Sequence, residues 1–297
     1  MPAISRLPIA LVLVLFIIVG STFAVTTPLF EASDELWHYP VIWRLAQGQG
    51  LPVLDVHDPG PWRQEAGQPP LYYFIMALAT GWIDTTDMHA VRRLNPHVDS
   101  GVVTADGNTN LAIHTGTENF PWRGTVLAVR LVRLLSVLLG TGTVYLTYRL
   151  ALEIRPDWPV LAVGAAGVLA FTPMFAFIAG SVNNDNLAIL MASATVLLIT
   201  RMSATGNTGR KIRFVFNSQW EQVRGHISIV HLLLGILLGL GALTKLSLLA
   251  LFPVAAAIIA YNQAARWWRN PHRTRARVFW LHMLILLLQY GVTFSSA

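Results

Sequence analysis

The chain has 297 residues, of which 54% are hydrophobic and only 12% are charged. Soluble domains carry about 25% charged residues, so this composition excludes a water-soluble enzyme and a disordered chain alike. The absence of cysteine excludes disulfides, iron–sulfur clusters and thiol nucleophiles. The net charge of +6 does not indicate a nucleic-acid partner, because the basic residues lie between long apolar runs rather than in one patch. The sequence therefore predicts a membrane protein.

The first apolar run, 7–25, has the length of a membrane-spanning helix. A cleaved signal peptide is the alternative, since Arg6 precedes the run and Thr22-Phe23-Ala24 resembles a cleavage site. The run is longer than the apolar core of a signal peptide, about 7–15 residues, which favours the span.

The apolar runs that follow predict six more spans, for about seven in total. One long run contains a single charge, Lys245, near its middle and is predicted to be a hairpin of two spans. The predicted spans are 126–148, 159–182, 186–200, two within 227–262, and 278–297.

The charges of the connecting segments predict the orientation. With the N-terminus in the cytoplasm, the inner segments hold 13 basic residues and three acids, whereas the outer stretch 27–125 holds five basic residues and eleven acids. This asymmetry follows the positive-inside rule for the cytoplasmic (cell) membrane. The predicted fold class is all-α, a polytopic transmembrane helical bundle. Its parts are a first helix in 1–26, a large outer loop with the candidate site in 27–125, and the remaining bundle in 126–297.

One apolar segment of the outer loop, 71–83, is too short to cross a bilayer. We expect an interfacial or re-entrant helix here, with Tyr72, Tyr73 and Trp82 at the level of the lipid headgroups.

The outer loop opens with three carboxylates and a histidine within eight residues. With Ser33 as N-cap of a helix, Asp34 and His38 would share one face, and Pro40 would kink or end that helix. A carboxylate beside apolar residues at a membrane surface can have a raised pKa and act as a general base. The alternative is an ordinary helix start with acids in its first turn. Asp34 and Glu35 are the candidate catalytic residues.

Arginine or lysine at the outer ends of spans is typical of phosphate binding, with snorkelling to lipid headgroups as the alternative. Arg130 and Arg133 lie on one face of the second span, and Lys245 lies at the tip of the hairpin. These three are the candidate donor-phosphate ligands.

Polar residues elsewhere on the outer side are candidates for sugar or acceptor binding. Asn184 and Asp185 lie in an outer turn and are equally typical of a plain turn. The candidate sugar- or acceptor-binding residues are His38, Glu65, Gln68, Asn184 and Asp185.

The remaining polar residues of the loop, in 84–121, match no metal-ligand spacing and are interpreted as surface residues. They are His89, His97, Asp99, Asp106, His114 and Glu118. No metal ligand is assigned, although a divalent metal ion is a possible cofactor. The cytoplasmic segments contain almost no acids that could hold magnesium for a nucleotide.

In this order, the motifs resemble the polytopic C-type glycosyltransferases, and glycosyltransferase family 39 in particular, with its protein O-mannosyltransferases and aminoarabinose transferases. The resemblance covers nearly the whole chain through loose motifs. They are Asp34-Glu35, Pro69-Pro70-Leu71-Tyr72, Arg130/Arg133-Leu134-Leu135-Ser136, Asn184-Asp185 and Gly239 to Lys245.

The resemblance implies a polyprenyl-phosphate sugar donor, the outer face of the membrane and Asp34 as base or metal-linked catalyst, with Glu35 as its motif partner. It implies cations at Lys245 and Arg130/Arg133 for the donor phosphate, and leaves the acceptor unknown. Aminoarabinose transferases have lysine before the Pro-Pro pair, where this chain has Gln68. Members of the family are usually longer, so we expect this chain to be truncated.

A non-catalytic transporter, or a scaffold for envelope polymer assembly, is the second hypothesis. A transporter is expected to show internal repeats or broken helices with polar residues at mid-membrane. Here the polar residues gather at the outer ends of the spans, which favours the transferase.

Overall fold

The computed structural model describes residues 7–55, 57–97, 107, 109–208 and 229–268. Their regular secondary structure is helical, apart from one isolated antiparallel bridge between Leu94 and Ala112. The helices are α1 (Leu7–Thr26), α2 (Glu35–Ala46), α3 (Leu71–Thr80), α4 (Met88–Val91), α5 (Gly124–Ile154), α6 (Pro159–Ala170), α7 (Pro173–Ala179), α8 (Asp185–Thr208), α9 (Ile229–Ala242) and α10 (Leu251–Trp268). Short 3₁₀ helices occupy Arg63–Gly67, Gly116–Glu118 and Leu246–Ala250. The predicted all-α class is confirmed.

Three of the described helices, α1, α5 and α8, are long and apolar enough to cross a membrane. The pair α6 and α7 adds a fourth candidate if it is one broken span. The predicted hairpin in 227–262 is interrupted as expected at Lys245, with α9 and α10 on either side. The last predicted span, 278–297, lies outside the described residues, so the total of about seven spans stays a prediction.

The run predicted as one span over 159–182 is broken. The axes of α6 and α7 differ by 66°, and the break falls at Phe171-Thr172, immediately before Pro173. Proline has no N–H and restricts the residue before it to extended backbone, as Thr172 shows with ψ of 115°. The proline therefore explains why an uncharged run of this length is not one straight helix.

Small residues allow α1, α5 and α7 to pack closely. A Cβ added at Gly180, directly after α7, would lie 2.9 Å from the backbone of Ala24 and Gly20 in α1. A Cβ at Gly140 in α5 would lie 3.0 Å from Ala179. Association of helices in lipid depends on van der Waals packing between such small residues.

In α2 the helix continues through Pro40 to Ala46, although we expected a kink or an end at this proline. A proline inside a helix leaves the carbonyl four residues earlier without its usual donor, and that carbonyl belongs to Leu36. The side chain of Arg92 donates from Nε to this oxygen at 2.9 Å. A side chain from elsewhere in the loop thus replaces the missing backbone bond.

In α3, the predicted short helix is present over Leu71–Thr80. The expectation that Tyr72 and Tyr73 lie at headgroup level is wrong, because both are fully buried. Tyr72 shares a 2.9 Å hydrogen bond with Ser136 of α5, so these rings face the bundle. Trp82, in contrast, is 71% exposed.

Among the described residues, those up to 200 and those in 229–251 belong to one compact unit, and those in 201–208 and 252–268 belong to a second. Within the first unit, contacts join the C-terminal end of α1 to α5 and the outer loop to the segments that flank α8 and α9. For example, the amide of Leu71 donates to Leu243 after α9 at 2.9 Å. The loop and four helix ends therefore meet on one side of the bundle.

Candidate active site

Asp34 occupies the N-cap position of α2, one residue later than the expected Ser33. Its backbone is left-handed (φ 58°), and its side chain is exposed and caps no backbone amide of α2. A left-handed conformation costs a non-glycine residue about 1–2 kcal/mol. The carboxylate is thus held at the surface rather than used to stabilise the helix.

Behind Asp34 lies a buried group formed by His38, Glu65 and Tyr73. Nδ1 of His38 lies 2.7 Å from the Tyr73 hydroxyl and 3.2 Å from Oε2 of Glu65. The hydroxyl of Tyr73 also donates to Glu65 at 3.4 Å. The sequence predicted His38 and Glu65 here but missed Tyr73, because its apolar helix suggested a lipid-facing ring.

Burial sets the protonation of this group. Burial lowers the pKa of His38 to about 4, so the imidazole is neutral at pH 7. Burial, and then the nearby charge of Asp34, raises the pKa of Glu65. The charges of Asp185 and Lys245 also act on His38, which places both near the buried group.

Lys245 and Asp185 form an ion pair at the edge of this group. Their side chains are 30% and 38% exposed, so solvent reaches both. Next to them, the amide of Asn184 donates to Gln68 at 3.3 Å and to the carbonyl of Thr244 at 3.4 Å. Segments far apart in the sequence are therefore joined around one polar surface.

Glu35, the first residue of α2, is fully buried against Arg133. Nη2 of Arg133 lies 2.6 Å from Glu35 Oε1, and Nε lies 2.9 Å from Oε2. The amides of Phe30 and Val182 also donate to this carboxylate, at 3.1 and 2.9 Å. The carboxylate of Glu35 is thus bound inside the protein, whereas that of Asp34 is exposed.

Arg133 uses its remaining donors on α1 and the turn after it. Nη1 donates to the carbonyls of Ala24 and Thr27 at 3.0 and 2.7 Å, and Nη2 donates to Pro28 at 2.9 Å. Guanidinium has five N–H donors, and here each has an acceptor. The structure therefore leaves Arg133 no free donor for a phosphate.

Arg130 lies one turn earlier in α5 and is 5% exposed. Its Nη1 donates to the same two carbonyls, of Ala24 at 2.6 Å and Thr27 at 2.9 Å, and its guanidinium lies 5.7 Å from the ring of Trp122. Both arginines thus hold the end of α1 against α5.

His114 is not the plain surface residue that we expected. Its Nε2 lies 3.0 Å from Glu31, and its Nδ1 lies 2.7 Å from Glu118, with all three side chains largely buried. Glu31 also accepts bonds from the amides of Leu111 and Ala112. These contacts fasten the end of the outer loop to the turn before α2.

Within the described ranges, no group of three or more histidine or acidic side chains is arranged to hold a metal ion. The possible divalent cofactor therefore gains no ligand set from the described residues.

Residues 117–290, more than half of the chain, match the family of dolichyl-phosphate-mannose-protein mannosyltransferases. The chain belongs to this family. Searches of curated proteins and of solved structures find no significant match. The mannosyltransferase family consists of membrane glycosyltransferases that use a lipid-phosphate-linked sugar, in agreement with the apolar helices of a multi-pass membrane protein. Of the candidate residues, the match includes Arg130, Arg133, Asn184, Asp185 and Lys245, whereas those of the outer loop precede it.

Proposed function

We propose that this mannosyltransferase-family protein transfers a sugar from a polyprenyl-phosphate-linked donor to an acceptor hydroxyl at the outer face of the cytoplasmic membrane. The observation that carries the proposal is the cluster of Asp34, His38, Glu65, Asp185 and Lys245 at one end of the bundle. A lipid-linked donor keeps its tail in the bilayer, so only its phosphate and sugar need to reach a site at the end of the bundle.

In the proposed step, the acceptor oxygen forms a bond to the anomeric carbon of the sugar. The bond between that carbon and the phosphate oxygen breaks, and polyprenyl phosphate leaves. Asp34 takes the proton of the acceptor hydroxyl as general base. Its exposed, uncapped carboxylate supports this role, because a base must reach the proton that it removes.

Lys245 is the proposed ligand of the donor phosphate. Negative charge builds on the leaving phosphate, and a cation at the membrane rim stabilises it. Lys245 is solvent-accessible, and its present partner Asp185 keeps it in place. For Arg133 we propose a positioning role instead, because its donors hold α1 and Glu35, and for Arg130 as well, because it is buried and its Nη1 donates to the end of α1.

The proposed sugar- or acceptor-binding residues are the remaining polar groups of the cluster. Gln68 is half-buried and is proposed to offer its amide group to a sugar hydroxyl, whereas the buried Asn184 donates to Gln68 and is proposed to hold it in place. His38 and Glu65, with Tyr73, form the buried part of the proposed site. Glu35 is proposed to position α2, and thereby Asp34, rather than to touch the substrate.

Sugar transfer from a labelled polyprenyl-phosphate sugar, in membranes that contain the full chain, tests the proposal. We expect Asp34→Asn to abolish transfer with normal membrane insertion, because the amide cannot take a proton. Asp58→Asn, an exposed aspartate elsewhere in the loop, is the matched control and keeps activity. Unchanged transfer by Asp34→Asn would remove Asp34 as the base.

A further inference from the structure

The outer loop carries a group of arginines stacked on tryptophans that the proposed sugar transfer does not use. The guanidinium of Arg63 lies 4.0 Å from the ring centre of Trp37, and that of Arg92 lies 5.2 Å from the same ring. Arg44 lies 5.0 Å from the ring centre of Trp62, the residue before Arg63. We name Trp37, Arg63 and Arg92 the arginine–tryptophan platform.

Arg92 is the fixed part of the platform. Its Nε donates to Leu36 and its Nη2 to Pro61, each at 2.9 Å, so its guanidinium has one position. Burial, and then the positive charge of Arg63, lowers the pKa of Arg92 to about 10, and it stays protonated at pH 7. Two positive charges are therefore held near one ring, at 4.0 and 5.2 Å from its centre.

Arg63 is the accessible part. Its side chain is exposed and, among the residues that the structure describes, has no carboxylate partner and donates no hydrogen bond. Its backbone is left-handed, with φ of 45°, a strain that persists only where the surrounding structure maintains it. A guanidinium that stacks by its face keeps its N–H edge free for the two oxygens of a carboxylate or phosphate.

The platform borders the candidate active site. Trp37 lies one helical turn after Asp34, to whose carbonyl its amide donates at 2.9 Å. Arg63 begins the 3₁₀ helix that also contains Glu65, and the charge of Asp34 acts on that residue. A molecule bound at the platform would therefore lie beside the proposed base.

We propose that Arg63 and Arg92 bind an oxyanion of the acceptor, a phosphate or carboxylate, so that the acceptor is an anionic molecule. This inference rests on the proposed function for the word acceptor, whereas the oxyanion site itself does not depend on it. The oxyanion can belong to a lipid headgroup or to a water-soluble molecule, which share the same chemistry at this platform.

Protection of arginine from phenylglyoxal tests the site without any sugar transfer. The full chain in nanodiscs of neutral phosphatidylcholine is labelled, and the modification of each arginine is measured by peptide mass spectrometry. Arg93, exposed in the same loop, is the internal control, and chloride at equal ionic strength controls for screening. Inorganic phosphate probes the water-soluble source, and nanodiscs that contain phosphatidic acid probe the lipid source.

We expect one of these probes to slow modification of Arg63 by about fivefold, the protection reached at about four times the dissociation constant, while Arg93 changes little. Protection by phosphate assigns a water-soluble oxyanion, and protection by phosphatidic acid alone assigns a lipid headgroup. Trp37→Leu should weaken the protection, whereas Asp34→Asn should leave it intact even though transfer is lost. If neither probe slows the modification of Arg63 more than it slows that of Arg93, the proposal is overturned.

Discussion

His38 is a buried side chain whose protonation makes the stability of the protein depend on pH. It is 3% exposed, and its ring contacts Tyr73 and Glu65 rather than solvent. The neutral imidazole is therefore part of the folded structure, and a proton on it would be a buried charge that burial disfavours.

This arrangement predicts a loss of stability in mild acid. The pKa of His38 is about 4 in the folded chain and 6.5 in the unfolded chain, so protons bind the unfolded state first as the pH falls. The contribution of His38 is complete above pH 6.5 and decreases below it, by up to about 3 kcal/mol. Thermal unfolding of the detergent-solubilised protein between pH 7 and pH 4 measures this loss.

The matched variant is His38→Gln, which cannot take up a proton in this range. We expect its melting temperature to be lower at pH 7, through the lost contact with Tyr73, but to depend less on pH. A wild-type and variant pair with parallel pH profiles would show that His38 is not the titrating group.

At the scale of helices, a buried ion pair holds the elements that carry the site. Glu35 of α2 contacts Arg133 of α5, and Arg133 contacts the end of α1, so three elements meet at one charge pair. Glu35 also binds the amide of Val182, between α7 and α8. The orientation of Asp34 therefore depends on this pair.

We expect Glu35→Gln to destabilise the protein strongly. Removing one partner leaves the guanidinium of Arg133 buried without its counter-charge, at a cost of about 3–5 kcal/mol. Asp157→Asn, which breaks the exposed pair with Arg155, is the control and should change the melting temperature little. If Glu35→Gln melts like the control, the pair does not hold these helices together.

The contact between α1 and α7 gives a second prediction at this scale. Gly180→Ala places a methyl group 2.9 Å from the backbone of α1, so the helices must separate, which we expect to cost about 1–3 kcal/mol. Gly164→Ala in α6, where nothing lies within 4 Å, is the matched control. Melting temperatures of the two variants should differ, and equal values would contradict the close crossing.

For the whole molecule, the length of apolar runs and the distribution of charge predicted the helices but not the contacts between them. Long apolar runs are sufficient to find α1, α8 and, with Arg130 and Arg133 near its start, α5, since lipid requires apolar side chains over most of a crossing. The run 159–182 contains no charge and therefore suggested one straight span. Pro173 is the residue in this run that indicates the break.

The sequence predicted part of the candidate site. It did not predict which of its side chains are exposed, because exposure depends on residues that are distant in the sequence. Asp34 and Glu35 are neighbours, but one is exposed and the other is fully buried. Only the fold decides this difference, through the distant residue Arg133. The pair of Lys245 with Asp185 likewise joins segments 60 residues apart, which no local spacing could reveal.

The central claim is that the Asp34 cluster faces the outside of the cell. Near its N-terminal end α5 contacts the residue next to Asp34, because Arg133 pairs with Glu35, and the 31 residues of α5 extend about 46 Å to the opposite end near Asp157. Because the chain contains no cysteine, Ser33→Cys and Asp157→Cys give single reactive thiols in exposed positions at the two ends.

A membrane-impermeant maleimide applied to intact cells is the most direct measurement. Outward orientation predicts that Ser33→Cys reacts at once, whereas Asp157→Cys reacts only after the membrane is permeabilised. Labelling of Asp157→Cys alone in intact cells would place the cluster in the cytoplasm and contradict the proposed transfer at the outer face.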